Sequence, residues 1–360
     1  MTSLRSRRIL HIANFGYKAK GVYLHAMAAK FSNGWTRAGH NVIPFSDRDI
    51  ARWAGFFGHR KWGVGPANRI LLEVARNTAP EIIALGHADV IAPETVAELR
   101  RMLPGVKVLQ WNIDPIFKED EASSHDNIRR VLSKIDVVDA TFVTTPGAPL
   151  APFALPGKIA AFIPNAVDPS IERYRIFANA SPGHDIFFAA GSGRFTRFHC
   201  GQHRLVDDLA SDLVNARPEV RYYWAGVLGA PLVFGPGYDE ALNDCWGGLN
   251  ISRRNDYYLY SSERIAHYAG NGLVTFIDRA NGYQDLFDED SLAFYSTEDE
   301  LYEQIARLKR DEAARRAMAE KGWRRYHELF DAAILGQYMI DVVEGTHNPA
   351  RYPWPTVYTG

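Results

Sequence analysis

The sequence predicts an α/β protein of two consecutive halves, each built on a parallel sheet. Three observations lead there. At 360 residues the chain is long for one hydrophobic core, so two domains are expected. It opens with an apolar run, a helical stretch closed by Gly39, and a second apolar run, an order that implies parallel pairing. The same order restarts after His184-Asp185, beyond a Pro-containing segment at 164–169. We place a first domain at residues 1–165, a second at 166–330, and a C-terminal helix with an extended tail at 331–360.

Composition narrows the function classes. The formal net charge of −1 gives no electrostatic case for nucleic acid. Cys200 and Cys245 are the only cysteines, too few for a disulfide framework and consistent with a reducing compartment. No apolar run approaches the ~18 residues that span a bilayer. Arg5, Arg7 and Arg8 read as a solvated tail, and 9–15 is too short and polar for a signal peptide. The expectation is a cytoplasmic protein with at most peripheral contact with the inner membrane face.

In the first half, 9–15 is a buried strand that runs into Asn14, Phe15 and Gly16, with Gly21 beyond. A helix is expected from Val22 to Ala38 and a second strand over 40–45. Asn14, Gly16 and Asp47 then lie at strand ends, the edge where a parallel sheet binds ligands. Asp47 and Asp49 read either as ligand contacts or as loop caps. The Gly- and aromatic-rich stretch 53–66 reads as a mobile loop. Strands at 81–86 and 106–111 place His87 and Asp114 just past their carboxyl ends, where such sheets present reactive groups. Further strands follow at 137–145 and 158–163.

In the second half, 186–190 is a strand followed by Gly191-Ser192-Gly193-Arg194. Thr196 stands where a dinucleotide fingerprint needs a third glycine, so that signal is weak. A phosphate-approach loop fits better, with backbone N–H groups and Arg194, Arg197 or Arg204 as cations. His199, Cys200 and His203 lie close in sequence, but no second ligand cluster accompanies them, so no metal site is expected. A strand at 221–225, a helix at 238–245 and an apolar run ending at Asn250 lead to Ser261-Ser262-Glu263, a helix start. Arg264, His267 and Asn271 then share one helix face, with Ile265 and Tyr268 on another. A cation and a titratable ring over a helix N-terminus suit a diphosphate and its ribose. Strand 273–277 ends at Asp278. Helices at 298–308 and 311–330 carry dense charge read as solvated surface, Lys309 included.

Residues 264–287 resemble the donor-binding motif of GT-B glycosyltransferases, in particular the spore-maturation-type branch. That branch reads Arg-x-x-Glu-x-x-x-x-Gly, an apolar strand ending in Asp, then Leu-Phe; Arg264, Gly272, Asp278, Leu286 and Phe287 match. His267 occupies the Glu position that grips the ribose in the family. Segment 164–169 resembles the family's interdomain Pro-Asn-Gly-Val-Asp, with Ala166 in place of Gly. The motif order covers most of the chain.

The resemblance implies the GT-B architecture, two facing Rossmann-like domains with parallel sheets and a cleft between them. It implies a nucleotide-sugar donor on the C-terminal half and a glycan, lipid-linked or small-molecule acceptor on the N-terminal half. Such enzymes generally need no metal and neutralise the leaving diphosphate with cations and helix N-termini. Arg194, Arg197 and Arg264 are the candidates for that role. Gly191 and Gly193 belong to the donor loop. Ser261, Ser262 and His267 would hold the nucleotide, with Asn250 and Asp278 lining its pocket. Asp114 or His87 would contact the acceptor, one of them as general base in an inverting enzyme. The His267 departure motivates a rival, a catalytically inactive nucleotide- or sugar-binding protein of the same fold. A GT-B-type epimerase or phosphorylase is a second rival.

Overall fold

The structure is a computed structural model that describes residues 5–19, 25–116, 122–354 and 357–359. Gly21 and the start of the helix expected from Val22 lie outside the described residues. Backbone contacts divide the chain into two compact units, Met1–Ile163 with Ala332–Gly360, and Pro164–Asp331.

The first unit begins with β1 (Arg8–Ala13), α1 (Met27–Arg37), β2 (Asn41–Ser46), α2 (Asp47–Trp53) and α3 (Arg60–Thr78). It continues with β3 (Ile82–Gly86), α4 (Pro93–Met102), β4 (Lys107–Asn112), α5 (Ala122–Leu132), β5 (Ala140–Val143) and β6 (Ile159–Phe162). These six strands pair in parallel in the order β6-β5-β4-β3-β1-β2. The chain leaves β1 for β2 on one side and then crosses to β3 on the other. The crevice at their carboxyl ends is thus a topological switch point, where such sheets bind ligands.

Segment 53–66 is not the loop expected from its glycines. It is the end of α2, a short turn and the first turns of α3. Gly63 explains the difference: a Cβ there would lie 1.7 Å from the Ala51 carbonyl oxygen. Close packing of α3 on α2 outweighs the poor helix propensity of glycine.

The second unit contains β7 (Ile186–Ala189), β8 (Thr196–His199), β9 (Gln202–Leu205), α6 (Val206–Ala216), β10 (Tyr222–Ala225) and α7 (Pro236–Asn243). Then come β11 (Gly247–Asn250), α8 (Arg264–Asn271), β12 (Val274–Asp278), β13 (Ala293–Tyr295), α9 (Glu298–Arg310) and α10 (Glu312–Phe330). The parallel order is β10-β7-β11-β12-β13, which sets a second switch point between β7 and β11. The antiparallel hairpin β8–β9 is absent from the sequence-based expectation. Its Cys200-Gly201 turn holds both residues at positive φ, the mirror-image turn that matches strand twist.

Lys309 also departs from expectation. It is not a solvated helix charge, because its Nζ lies 2.5 Å from the buried carboxylate of Asp185. That carboxylate further accepts the Trp246 indole N–H (2.9 Å) and the Arg221 backbone N–H (2.8 Å).

The chain then returns to the first unit. Helix α11 (Ala332–Glu344) packs on α1, where the Trp35 indole donates to the Gly336 carbonyl (2.9 Å). Gly34 is required there, since a Cβ would meet the Ala332 carbonyl oxygen at 2.2 Å. Strand β14 (Val357–Thr359) closes the sheet antiparallel to β6.

Candidate functional site

In the second unit the site is built around Arg264, the first residue of α8. Its Nη2 donates to the Ile251 carbonyl (2.7 Å) and its Nη1 to the Ala189 carbonyl (3.4 Å). Its guanidinium stands 5.5 Å from the Phe188 ring centroid. Ala189 ends β7 and Ile251 follows β11, so this cation bridges the carboxyl ends of the two strands that flank the switch point.

Beside it is a buried hydroxyl and amide network. Asn250 and Ser261 exchange hydrogen bonds at 2.9 and 3.1 Å. The Ser262 backbone N–H donates to the Ser252 hydroxyl (2.8 Å), and the Asn165 amide donates to the Ser261 carbonyl (2.9 Å). Asn250, Ser261 and Ser262 therefore lie together, as expected. Ser252 and Asn165 complete the network, and the sequence reading missed them.

His267 and Asn271 go elsewhere. His267 Nδ1 is 2.8 Å from Glu172 Oε1, and both side chains are buried. The other Glu172 oxygen accepts the Asp168 N–H (2.8 Å). Asn271 Oδ1 accepts the Tyr174 N–H (3.1 Å). The face shared by these residues thus packs on segment 168–174, and only Arg264 reaches the strand ends. This alters the expectation for His267, whose Nδ1 is held in a buried hydrogen bond with Glu172.

Gly193 is fixed by Asp207, because a Cβ would lie 1.7 Å from that carboxylate. Asp207 and Asp208 occupy the first turn of α6, and Asp207 Oδ1 accepts the Leu228 N–H (2.7 Å). That helix start already carries its own negative charge. Gly191 and Arg194 are exposed in the same loop. Arg197 is buried on β8, where Nη1 donates to the Thr196 carbonyl. Arg204 is engaged by Glu298 (2.6 and 2.8 Å) and Asp212, so it is not the diphosphate cation that the sequence allowed.

Asp278 caps the turn after β12, with one oxygen accepting from the Ala280 N–H and the other from the Cys200 N–H, each at 3.0 Å. His199, Cys200 and Asp278 bring ligand-type atoms within 4.8 Å of one another, although the sequence reading expected no metal cluster at His199 and Cys200. Protein groups engage these atoms: His199 Nε2 meets the Tyr295 hydroxyl at 2.9 Å, and Asp278 serves two backbone N–H groups. Burial, with Asp278 adding like charge, pushes the Cys200 thiol up to about 12.

In the first unit His87 and Asp114 come together as two strand-end residues. His87 Nδ1 is 3.5 Å from Asp114 Oδ2, and Arg130 Nη1 lies 3.6 Å from the same carboxylate. Gly86 makes room for the Trp111 indole, which a Cβ would meet at 2.1 Å, and that ring stands edge-on to His87 at 5.9 Å. His87 and Ala88 both have positive φ, a costly backbone for residues other than glycine and one that recurs at functional sites. Burial holds the His87 imidazole below its usual pKa, against the pull of Asp114, and the Arg130 charge adds to the lowering. The ring is therefore neutral near pH 7 and can accept a proton.

Asp47 starts α2 and is buried. Burial, with Asp89 adding like charge, pushes its carboxyl up to about 6. Asp49 is a loop cap that accepts the N–H groups of Tyr17 (2.7 Å) and Lys18 (3.1 Å). Gly16, at φ +67°, permits the turn that presents them. Asn14 lies at the end of the same strand, with its Oδ1 buried. Arg130, Asp89 and the buried Lys134 also gather at this edge and were not singled out from sequence.

Comparison with known proteins agrees with this fold. Residues 203–339 match the family model for glycosyl transferase-like proteins. No curated protein matches the sequence. Among solved structures, sucrose-phosphate synthase from Thermosynechococcus elongatus superposes with a TM-score of 0.59 at 13% identity, covering 94% of this chain and 98% of that one. A UDP-forming α,α-trehalose-phosphate synthase from Burkholderia xenovorans gives 0.54 at 12% identity, with 95% and 99% covered. Anabaena HepE in complex with UDP gives 0.53 at 11% identity, with 94% and 100% covered. The fold is of the GT-B type, and residues 203–339 are similar to the glycosyl transferase-like family.

Proposed function

We propose that the chain transfers a sugar from a nucleotide-sugar donor, held by the second unit, to an acceptor hydroxyl held at the carboxyl edge of the first. The observation that carries this is Arg264, a cation fixed at the switch point between β7 and β11. A diphosphate there would meet that guanidinium, with Arg194 and Arg197 on the loop and hairpin that follow β7. These cations neutralise the leaving group without a metal ion. The Asn250–Ser261–Ser262 network offers hydroxyl and amide groups to the nucleotide. UDP is the first nucleotide to test, because the names of two structural neighbours specify it.

His87 is the general base in this scheme. Its neutral ring takes the acceptor proton, and Asp114, 3.5 Å from Nδ1, stabilises the imidazolium. His87→Gln is expected to lower kcat by about 10²–10⁴-fold. In the wild type, activity should fall as pH drops through a value below the usual 6.5 of histidine, because protonation removes the base. A pH–rate profile flat down to pH 4 would exclude His87 from that role.

A thermal-shift panel of UDP, GDP, CMP and ADP with EDTA present tests the donor site. A ligand that binds only the native state raises the melting temperature. At about 100 times Kd the stabilisation is roughly 2.7 kcal/mol. No shift with any nucleotide at millimolar concentration would refute the donor reading.

A further inference from the structure

The corner between α2 and α3 leaves five large aromatic side chains in water. Tyr17, Trp53, Phe56, Phe57 and Trp62 are 55%, 58%, 63%, 89% and 68% exposed. They are ordered against one another. Tyr17 stacks on Trp53 at 6.5 Å, Phe56 stacks on Trp62 at 5.9 Å, and Phe57 meets Phe56 at 4.4 Å. With about 150–250 Å² for an aromatic side chain, these fractions leave on the order of 600 Å² of ring surface exposed. That is the upper end for the largest apolar patch of a soluble monomer, and such patches are often functional.

The fold holds this patch in place. Gly63 lets α3 pack on the α2 backbone, and Gly55 admits the His59 carbonyl, which a Cβ would meet at 2.2 Å. Phe57, the most exposed ring, sits at φ +51°, a backbone region that costs energy for any side chain. Strain kept at the apex of an exposed patch is strain that projects the ring outward.

The surroundings are cationic. Lys18 and Lys61 are exposed, while Arg52 and Arg60 flank the turn with Asp49 at 3.8 Å and Asp89 at 3.7 Å. The nearby acids are committed, Asp49 to the N–H groups of Tyr17 and Lys18, and Asp89 to Arg48 and Arg60.

We infer that this corner docks the protein on an anionic lipid surface. Its rings enter the headgroup boundary and its exposed lysines, Lys18 and Lys61, meet lipid phosphates. Aromatic side chains favour that boundary, and basic residues near an anionic leaflet add attraction. A second copy of the chain fits less well. The ring area falls short of the ~800 Å² per partner of a stable interface, and two such faces would oppose like charges.

Helix α2 runs from Asp47, at the acceptor edge, to Trp53 in the patch. At 1.5 Å per residue that is about 9 Å. On the acceptor reading above, this points to an acceptor held in the membrane. Vesicle binding itself does not depend on that reading.

The test is co-sedimentation of the full chain with phosphatidylcholine vesicles, with and without phosphatidylglycerol. Wild type is expected to bind the anionic vesicles, to bind neutral ones more weakly, and to lose affinity as salt rises. The double variant Phe57→Ser/Trp62→Ser should bind more than about tenfold more weakly at an unchanged melting temperature. The inference is overturned if wild type stays in solution with anionic vesicles, or if the variant binds as wild type does. It is also overturned if sedimentation velocity without lipid shows a dimer that the double variant abolishes.

Discussion

His267→Glu is expected to unfold the second unit more readily, lowering stability by about 3–5 kcal/mol. The substitution removes the 2.8 Å partner of buried Glu172 and sets a second carboxylate against it. Two like charges in a dry site cannot both ionise, so one must take up a proton at a free-energy cost. The motif resemblance alone leads to the opposite expectation, because glutamate is the usual family residue at this position. The two accounts separate on the melting temperature of the ligand-free variant. The buried pair predicts a fall of several degrees that shrinks at acid pH, where one carboxyl is protonated. A melting temperature equal to wild type at pH 7 would return His267 to the donor pocket.

Asp185→Ala carries an effect of similar size. The carboxylate joins the Trp246 indole, the Arg221 backbone and Lys309 at the start of β7. Its removal leaves the Trp246 indole, the Arg221 backbone N–H and Lys309 without this partner and takes one from the Arg221 guanidinium, at a cost of about 3–5 kcal/mol. At about 2–4 °C per kcal/mol for a domain of this size, the melting temperature should fall by roughly 10 °C. Burial alone would raise the pKa of Asp185, but the Arg221 N–H, Lys309, the Trp246 indole and the Arg221 guanidinium together lower it from 3.8 to about 2. A carboxyl whose pKa is depressed by folding stabilises the protein above its unfolded value, and the contribution is lost as pH falls through the folded one. Wild type should therefore lose this increment between about pH 4 and pH 2, while the variant, already without it, shows a shallower acid limb. Parallel acid limbs for the two proteins would show that the pair does not contribute.

Much of the fold was legible because the β-strands are short apolar runs with clear stops. Ile82–Gly86, Lys107–Asn112 and Val274–Asp278 lie within a residue or two of where their patterns place them. The β8–β9 hairpin was hidden because Thr196–His199 and Gln202–Leu205 alternate too briefly, and Cys-Gly is not a common hairpin turn. The α2–α3 corner was hidden because glycine reads as flexibility, whereas Gly63 is there for close packing. Near the candidate site, strand-end position located His87, Asp114 and Asn250, and the Ser261-Ser262-Glu263 helix start located Arg264. Helix-face periodicity was not, because α8 is buried beyond its first residue and the 168–174 segment covers the face of His267 and Asn271. Partners distant in sequence, such as Glu172 for His267 and Asp185 for Lys309, leave no local pattern to find.

The central claim is that Arg264 holds a nucleotide diphosphate at the β7–β11 switch point. Calorimetric titration of UDP into wild type, Arg264→Ala and the exposed-helix control Arg310→Ala, all with EDTA, tests it most directly. A charge-assisted bond of about 1.5–3 kcal/mol predicts that Arg264→Ala weakens binding by more than about tenfold, while Arg310→Ala matches wild type. Equal affinity in all three proteins would contradict the account.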